Sequence, residues 1–222
     1  ASGPTVPDPS TYADTLKIVQ KYDMDLPASA LAVLQKGADE TPKPGDEIFT
    51  NNKVEIIASG RNSLEAAAKG AQEAGITPII LNDSLEGEAS EVGRTMAENI
   101  GEYREQAPCV LLSGGELTVT VAGSGRGGPN TEFLMGLAAG LKGADGVYAI
   151  SCDTDGTDGL VDNAGAIITP DTLQRAEDAG LDLETRLADN DAYNFFAALD
   201  DLVVSGPTHT NVNDFRAILI TE

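Results

Sequence analysis

The sequence is short of basic, sulfur-containing and aromatic side chains. It has no tryptophan, one histidine, two cysteines and 14 Lys and Arg against 36 Asp and Glu, for a formal net charge of -22. Nucleic acids and anionic membranes are bound by basic patches, so this composition argues against both as partners. It does not exclude an anionic small molecule, because glycine loops and helix N-termini bind anions through backbone N–H groups.

Sulfur and long apolar runs are equally scarce. Cys109 and Cys152 lie in separate apolar, strand-like runs, which predicts two free thiols and suits a cytoplasmic protein. No apolar run approaches the roughly 18 residues of a membrane helix, and no secretory signal is present. The sequence starts without methionine, in a loop-type Ala1-Ser-Gly-Pro stretch, so we expect it to be a piece of a longer protein.

Predicted strands, loops and helices alternate along the chain, which is typical of a three-layer α/β/α lobe with a mixed, mostly parallel sheet. Two predicted strands, 110–112 and 118–122, are too close for a crossover helix, and we expect them to pair antiparallel. Ligands in such sheets gather beyond the carboxyl ends of strands. The other strands are predicted at 54–59, 79–81, 147–151, 202–205 and 217–220.

A glycine loop, Gly123-Ser-Gly-Arg-Gly-Gly-Pro-Asn130, separates a predicted strand from a predicted helix. Glycines leave the backbone N–H groups unshielded and the helix start carries partial positive charge, so the pattern favours a phosphate or carboxylate site. The spacing also matches the dinucleotide fingerprint, although a tight glycine turn would give the same letters. The residues predicted to bind the anion are Gly125, Gly127, Gly128 and Asn130.

Three further polar loops follow or precede predicted strands: Ser113–Glu116, Asp153–Gly159 and Gly206–Asp214. The Asp153 loop is no EF-hand, since its twelfth position is Ala164 instead of Glu. Its carboxylates can hold Mg²⁺ through water, with Asp153 and Asp155 as candidate ligands, or they can form an ordinary Asp/Gly turn cluster. The candidate substrate- or phosphate-binding residues in these loops are Ser113, Gly114, Gly115, Glu116, Thr157, Thr208, Thr210, Asn211, Asn213 and Asp214.

Cationic side chains are nearly missing from these loops, and Arg126 is the only one among them. Phosphoryl transfer needs positive charge near the transferred group, which leaves Arg126 and a bound metal to supply it. The sequence contains no GxSxG, Walker A or HExxH motif. The sole histidine, His209, is assigned no role, and a complete site would need groups from outside these residues.

Together, these motifs resemble the glycerate 2-kinases of the GckA/TtuD type, which end in a MOFRL region and are often labelled hydroxypyruvate reductases. The resemblance covers nearly the whole chain in order. The matching segments are Ala1–Pro9, Glu40–Asp46, Gly87–Ala89, Ser113–Glu116, Gly125–Asn130, Thr154–Gly159, Asn190–Asp191 and Gly206–Asp214.

The resemblance implies ATP- and Mg²⁺-dependent phosphorylation of D-glycerate at its 2-hydroxyl, in a cleft between two α/β lobes. The family's N-terminal lobe carries a catalytic lysine, so this chain would be the C-terminal lobe and inactive alone. It would divide into residues 1–106, the C-terminal part of the GckA-like region that accompanies MOFRL, and residues 107–222, the MOFRL region itself, and the two would pack as one lobe. Implied partners are glycerate, the nucleotide, the missing lobe and a second copy in a homodimer.

One position departs from the family pattern. The family often has an arginine after the paired glycines, where this chain has Pro129, so we expect Arg126 to replace it. The predicted catalytic residues are then Arg126, Asp155 and Asp158. Two alternatives stay open: an NAD(P)H-dependent hydroxypyruvate reductase that uses Gly123–Gly128, and a non-catalytic fragment.

Overall fold

The computed structural model describes residues 5–222, which divide at Ile57 into two compact units. The first unit holds two helices, α1 (Tyr12–Lys21) and α2 (Ala28–Lys36). Thr11 and Asp14 cap α1 reciprocally, in a capping box. No side chain of residues 5–57 is buried, so this unit has no core of its own among the described residues.

The second unit is an α/β fold around a six-stranded sheet. Its helices are α3 (Gly60–Glu73), α4 (Ala89–Asn99), α5 (Pro129–Leu141), α6 (Thr172–Asp178), α7 (Leu183–Ala188) and α8 (Ala192–Ala198). Its strands are β1 (Thr77–Leu85), β2 (Cys109–Gly115), β3 (Val147–Asp153), β4 (Gly165–Ile168), β5 (Leu202–Val203) and β6 (Asp214–Ile220).

Helices cover both faces of the sheet, which confirms the three-layer prediction. On one face, α5 is packed between α4 and the strands, and Phe133, Leu134 and Leu137 of α5 are completely buried. On the other face, α3 inserts Leu64 against Val110 and Leu112. Both cores follow from apolar residues at helical spacing facing alternating strand residues.

The sheet is mixed, as predicted, but its strand pairs are not mostly parallel. The order is β1-β2-β6-β3-β4-β5, in which β1 with β2 is the parallel pair and the other four pairs of the described chain are antiparallel. β4 and β6 run against the other four strands, and β6 inserts between β2 and β3. The carboxyl ends of β2 and β3 and the amino end of β6 therefore lie at one edge of the sheet.

Two predicted strands do not form. Within the described chain, residues 54–59 and 118–122 contain no strand, apart from a single bridge between Thr118 and Glu88. The expected antiparallel pairing of β2 with residues 118–122 is therefore wrong, because β6 is the antiparallel partner of β2. Ile57 is 93 % exposed, so its side chain is not packed into a core of the described residues.

The sequence pattern also missed β4, whose four residues lie between the Asp/Gly loop and Pro170. Both cysteines are free, as expected, and burial raises the pKa of the Cys152 thiol to about 12. No helix among residues 5–222 has the length and apolar character needed to cross a bilayer. The predicted division at residue 106 concerns family regions and stays a prediction.

Candidate functional site

The polar loops singled out in the sequence meet at one edge of the sheet. In the register of the strands, Asp214 at the start of β6 lies opposite Gly115 of β2 and opposite Asp153 of β3. Further out, the backbone N–H of Thr208 donates to the Asp155 carbonyl over 3.0 Å, and the Thr154 hydroxyl donates to the Asn213 carbonyl over 2.7 Å. The antiparallel insertion of β6 thus brings together loops that are far apart in the sequence.

The N-terminus of α5, predicted to bind an external anion, is occupied by the chain's own carboxylate. Asp158 accepts the backbone N–H groups of Asn130 and Thr131, each over 2.9 Å, and the Thr131 hydroxyl over 2.7 Å. The next amide, that of Glu132, bonds the Gly128 carbonyl. The group at the helix start is thus Asp158 and not the external anion that the sequence predicted. The partial positive charge there stabilises the Asp158 carboxylate.

This arrangement also corrects the catalytic assignment of Asp158. Its side chain is fully buried, and burial raises the pKa of its carboxyl group while the hydrogen bonds from Asn130 and Thr131 oppose that rise. A buried carboxylate that accepts four hydrogen bonds has no free face for a substrate. Asp158 fixes the glycine loop and the Asp/Gly loop to α5.

The glycine loop lies against the turn between α7 and α8. The Asn190 side chain accepts the N–H groups of Ala122 and Gly123, and the Asp189 carbonyl accepts that of Gly125 over 2.8 Å. A Cβ at Gly123 would stand 2.3 Å from the Asp189 backbone, so this contact requires glycine. The predicted phosphate-binding role of Gly125 loses its donor, because the amide is already hydrogen-bonded within the protein.

The second half of the loop is held in the same way. The Arg126 amide donates to Asp191, and the Gly128 amide donates to the Thr131 hydroxyl over 3.1 Å. Gly127 lies against Gly159 of the Asp/Gly loop. A Cβ added at Gly159 would stand 3.1 Å from the Gly127 carbonyl oxygen. The glycines serve backbone-to-backbone packing, which is the tight-turn alternative and not the dinucleotide fingerprint.

Arg126 differs from every other arginine of the described chain. Its guanidinium lies 4.7 Å from the centre of the Tyr193 ring, and no carboxylate or carbonyl of residues 5–222 accepts a hydrogen bond from it. The remaining guanidinium groups all bond carboxylate or carbonyl oxygens; they belong to Arg61, Arg94, Arg104, Arg175, Arg186 and Arg216. Arg126 is also exposed, so its charge is accessible to an anion from solution.

Two residues predicted to bind substrate instead belong to a buried network. Asn130 donates to Asp214 over 2.8 Å and accepts from the Ser151 hydroxyl over 2.6 Å. Asp214 also pairs with Arg216, whose guanidinium lies over the Phe133 ring. Asn130 and Asp214 are buried, so their roles are to connect α5 with the sheet and not to touch a ligand.

Three of the four residues predicted to form a loop at positions 113–116 instead end β2. Ser113, Gly114 and Gly115 are buried strand residues, and Gly115 packs directly on the backbone of Leu85. The Glu116 side chain is exposed at the edge of the sheet, while its amide bonds the Leu85 carbonyl. Of these four candidates, Glu116 is the one that presents a side chain to solvent.

An open cleft of about 360 Å³ remains between the Asp/Gly loop and the loop before β6. Asp155 is one of its lining residues and accepts the Thr157 amide over 2.8 Å and the Asn211 side-chain amide over 3.3 Å. The Thr208 hydroxyl donates to the Thr154 carbonyl, and the Thr154 hydroxyl donates to the Asn213 carbonyl, so the two loops are held together. The lining residues are Asp155, Thr157, Pro207, His209, Thr210 and Asn211.

Asp153 lies beside this cleft with an unusual carboxyl group. Burial, above all, raises its pKa to about 6, and the nearby carboxylates of Asp155 and Asp214 add to the rise although the Asp155 amide opposes it. Clustered carboxylates of this kind suit a cation. Among residues 5–222, however, no group of three or more His, Cys, Asp or Glu side chains could hold a metal ion.

Sequence reasoning missed the residues that fix these loops. Asn190 and Asp191 stood among the family motifs, but their role as acceptors for glycine-loop amides left no signal in the spacing. Tyr193, whose hydroxyl donates to Asp162 over 2.9 Å, and the buried Arg216 were also missed. An arginine inside a strand of otherwise apolar alternation was the available sign of the buried network.

The chain resembles known proteins in sequence and in structure. The model of the MOFRL family matches residues 109–214, and that of a domain of unknown function, DUF4147, matches residues 1–35. The chain is 52% identical to a protein of Agrobacterium vitis provisionally named hydroxypyruvate reductase, over 99% of this chain and 51% of that protein. It is 38% identical to the D-glycerate 2-kinase of Thermotoga maritima, over 99% of this chain and 52% of that protein.

A glycerate kinase of Macaca fascicularis is 30% identical over 99% of this chain and 68% of that protein. The crystal structure of a glycerate kinase from Thermotoga maritima superposes with a TM-score of 0.84 at 36% identity, over 99% of this chain and 53% of that chain. The chain spans about half the length of the first curated relatives that it matches. The resemblance drawn from the motifs is confirmed.

The capping role of Asp158 can be tested by stability. Replacing it in Asp158→Ala leaves the Asn130 and Thr131 amides buried without acceptors, so we expect the free energy of unfolding to fall by about 1–3 kcal/mol. Urea unfolding followed by circular dichroism measures the change. Asp182→Ala is the matched control, because Asp182 caps α7 from an exposed position and should cost less. Equal stability of Asp158→Ala and the wild type would contradict the assignment.

Proposed function

The chain belongs to the glycerate kinase family, and on that premise, together with the accessible guanidinium of Arg126, we propose that it is the C-terminal lobe of an ATP-dependent glycerate 2-kinase. The complete protein would transfer the γ-phosphoryl group of ATP to the 2-hydroxyl of D-glycerate, giving 2-phosphoglycerate. The chain spans about half of its first relatives, so the remaining catalytic groups are proposed to come from a second lobe.

Arg126 is the observation that carries this proposal. Every other arginine of the described chain bonds a carboxylate or carbonyl oxygen, whereas Arg126 is stacked on Tyr193. Phosphoryl transfer is accelerated mainly by positioning and by positive charge near the transferred group. An exposed arginine in the glycine loop would supply that charge, and it would take the role that the family pattern gives to position 129.

The open cleft suits the rest of a small hydroxy acid. Thr157, Thr210 and Asn211 offer neutral hydroxyl and amide donors, which bind carboxylate and hydroxyl oxygens without adding charge. Because the surroundings are strongly acidic, neutral donors and Arg126 would have to offset the negative charge of the substrate. We propose the cleft lined by Asp155 as the position of glycerate.

Mg²⁺ is proposed as the metal cofactor. It binds in proteins through one or two carboxylates together with water and substrate phosphates, so a group of three protein ligands is not required. Asp153, whose carboxylate accepts the Asp155 amide over 2.9 Å, and Asp155 would supply two hard oxygen ligands at the end of β3. When bound, the ion would neutralise phosphate charge that this chain's few cations cannot offset.

The reductase alternative has less support from the geometry. Its dinucleotide would need free amides in the glycine loop, and those of Gly123, Gly125 and Gly128 are engaged within the protein.

We further propose that the enzyme acts in the cytoplasm and pairs as a homodimer.

The reaction class is tested directly on the complete protein. We expect ADP release when D-glycerate and ATP are supplied with Mg²⁺, and no oxidation of NADH in the presence of hydroxypyruvate. ADP release is measured in one assay, and the absorbance of NADH is followed in a separate assay. NADH consumption without ADP release would overturn the kinase assignment in favour of the reductase.

Removing the guanidinium should slow the reaction. In the complete protein, Arg126→Ala is expected to lower kcat by about 10- to 1000-fold, the range for losing one charge-stabilising donor. Arg61→Ala is the matched control, because Arg61 is an exposed arginine whose charge pairs with Glu65 on α3. An unchanged kcat in Arg126→Ala would mean that no arginine has replaced the one missing at Pro129.

The metal assignment predicts a shift in the Mg²⁺ requirement. Asp155→Asn keeps the size and the hydrogen-bond acceptor of the side chain but removes its charge, so half-maximal activity should need a higher Mg²⁺ concentration. Asp178→Asn, at the exposed end of α6, is the control. If both variants have the wild-type requirement, Asp155 belongs to the turn alone.

A further inference from the structure

Tyr193 is a residue that neither the sequence motifs nor the proposed mechanism uses, although it touches the proposed catalytic arginine. Its ring lies under the Arg126 guanidinium, with 4.7 Å between the ring centre and the central carbon of the guanidinium. Its hydroxyl donates to Asp162 over 2.9 Å, and its backbone N–H donates to the Arg126 carbonyl over 2.8 Å. Tyr193 therefore contacts both the side chain and the backbone of Arg126.

The backbone of Arg126 is fixed from the other side as well. Its amide donates to Asp191 over 3.1 Å, and Asp191 is itself buried and held by Arg186 and Asn194. The start of α8 thus anchors the arginine through Asp191 and Tyr193. With the backbone fixed at both its N–H and its carbonyl, the direction of the long side chain depends on the ring.

The Tyr193 ring has a property that a carboxylate would lack. A carboxylate partner would neutralise the guanidinium and compete with an incoming phosphate, whereas an aromatic face orients the guanidinium and leaves its N–H groups available. The acidic neighbours make this distinction important. Asp162 is bonded to the Tyr193 hydroxyl, and Asp191 to the Arg126 amide, so neither carboxylate is hydrogen-bonded to the Arg126 guanidinium.

We propose that Tyr193 is a positioning residue, which holds Arg126 uncompensated and oriented toward the phosphoryl group at the Asp/Gly loop. The inference rests on the proposed kinase function and names how that function obtains its cation. Tyr193 acts through Arg126 and does not touch the substrate.

A double-mutant cycle in the complete protein tests the proposal. Tyr193→Leu removes the ring and should lower kcat by about 2- to 5-fold, the rate equivalent of the ~0.5–1 kcal/mol typical of an exposed cation–π contact, with little change in the KM for ATP. Tyr193→Phe keeps the ring, so its kcat should stay close to that of the wild-type protein. In an Arg126→Ala background, Tyr193→Leu should have no further effect, since the group it positions is gone.

Matched measurements separate positioning from folding. Tyr148→Leu, a half-exposed tyrosine of β3, is the control for losing a tyrosine ring, and the Tm of every variant is recorded. Effects of Tyr193→Leu and Arg126→Ala that simply add would overturn the proposal, and so would a Tyr193→Phe variant as slow as Tyr193→Leu.

A binding experiment keeps the inference testable apart from catalysis. In the 222-residue chain, the side-chain NMR signal of Arg126 Nε is followed while inorganic pyrophosphate is added. A shift that weakens in Tyr193→Leu and persists in Tyr193→Phe supports the positioning role even if the complete protein proves not to be a glycerate kinase. A titration identical in wild type and Tyr193→Leu would contradict it.

Discussion

The contact between Asp158 and the first turn of α5 fixes the arrangement of the whole candidate site. One carboxylate accepts the amides of Asn130 and Thr131, and the helix that it caps runs through the centre of the larger core. The same contact brings the Asp/Gly loop against the glycine loop, and Asn130 extends it to Asp214 on the sheet. Since all these groups are buried, their hydrogen-bond partners must come from within the protein, and most of these partners are acidic side chains. Within the described chain, Nε and Nη1 of the buried Arg216 have no partner.

The glycine loop shows the same use of acidic groups. In many proteins, loops of this composition donate to phosphate, but here Asp189, Asn190 and Asp191 accept the amides instead. A chain with 36 acidic side chains has many internal acceptors, and they compete with any external anion for backbone donors. The site is therefore left with a single exposed guanidinium and the neutral donors of the cleft. This scarcity of positive charge makes the orientation of Arg126 decisive.

Much of the fold was predictable from the sequence, because α5 and its neighbours combine regular apolar spacing with clear ends. Thr11 and Ser59 are residue types that favour helix starts, and they cap α1 and α3. The strands were harder to predict, since pairing depends on partners distant in the sequence. The run at 118–122 alternates like a strand, yet Glu88 accepts the Thr120 amide and hydroxyl and Asn190 accepts the Ala122 amide, so the segment joins no sheet.

The loops of the candidate site were predictable from the sequence, but the contacts within them were less so. Spacing marked the glycine loop, the Asp/Gly loop and the loop before β6, and the structure brings all three together. A sequence reveals which donors a loop contains but not which acceptors face them, and so Asp158, Asn130 and Asp214 were expected to meet a ligand and instead meet one another. Tyr193 escaped notice for the same reason, because its importance lies in a contact across 67 positions, the separation between residues 126 and 193.

The position of β6 has a consequence for how the molecule is made. β6 follows the other five strands along the chain, yet it lies between β2 and β3. During synthesis, β1 with β2 and β3 with β4 and β5 can form only as two separate half-sheets, each with an open edge, until the residues up to Ile220 have left the ribosome. Such exposed edges are prone to pair with other chains. Because β6 also carries Asp214, completion of the sheet and assembly of the site both require this last strand.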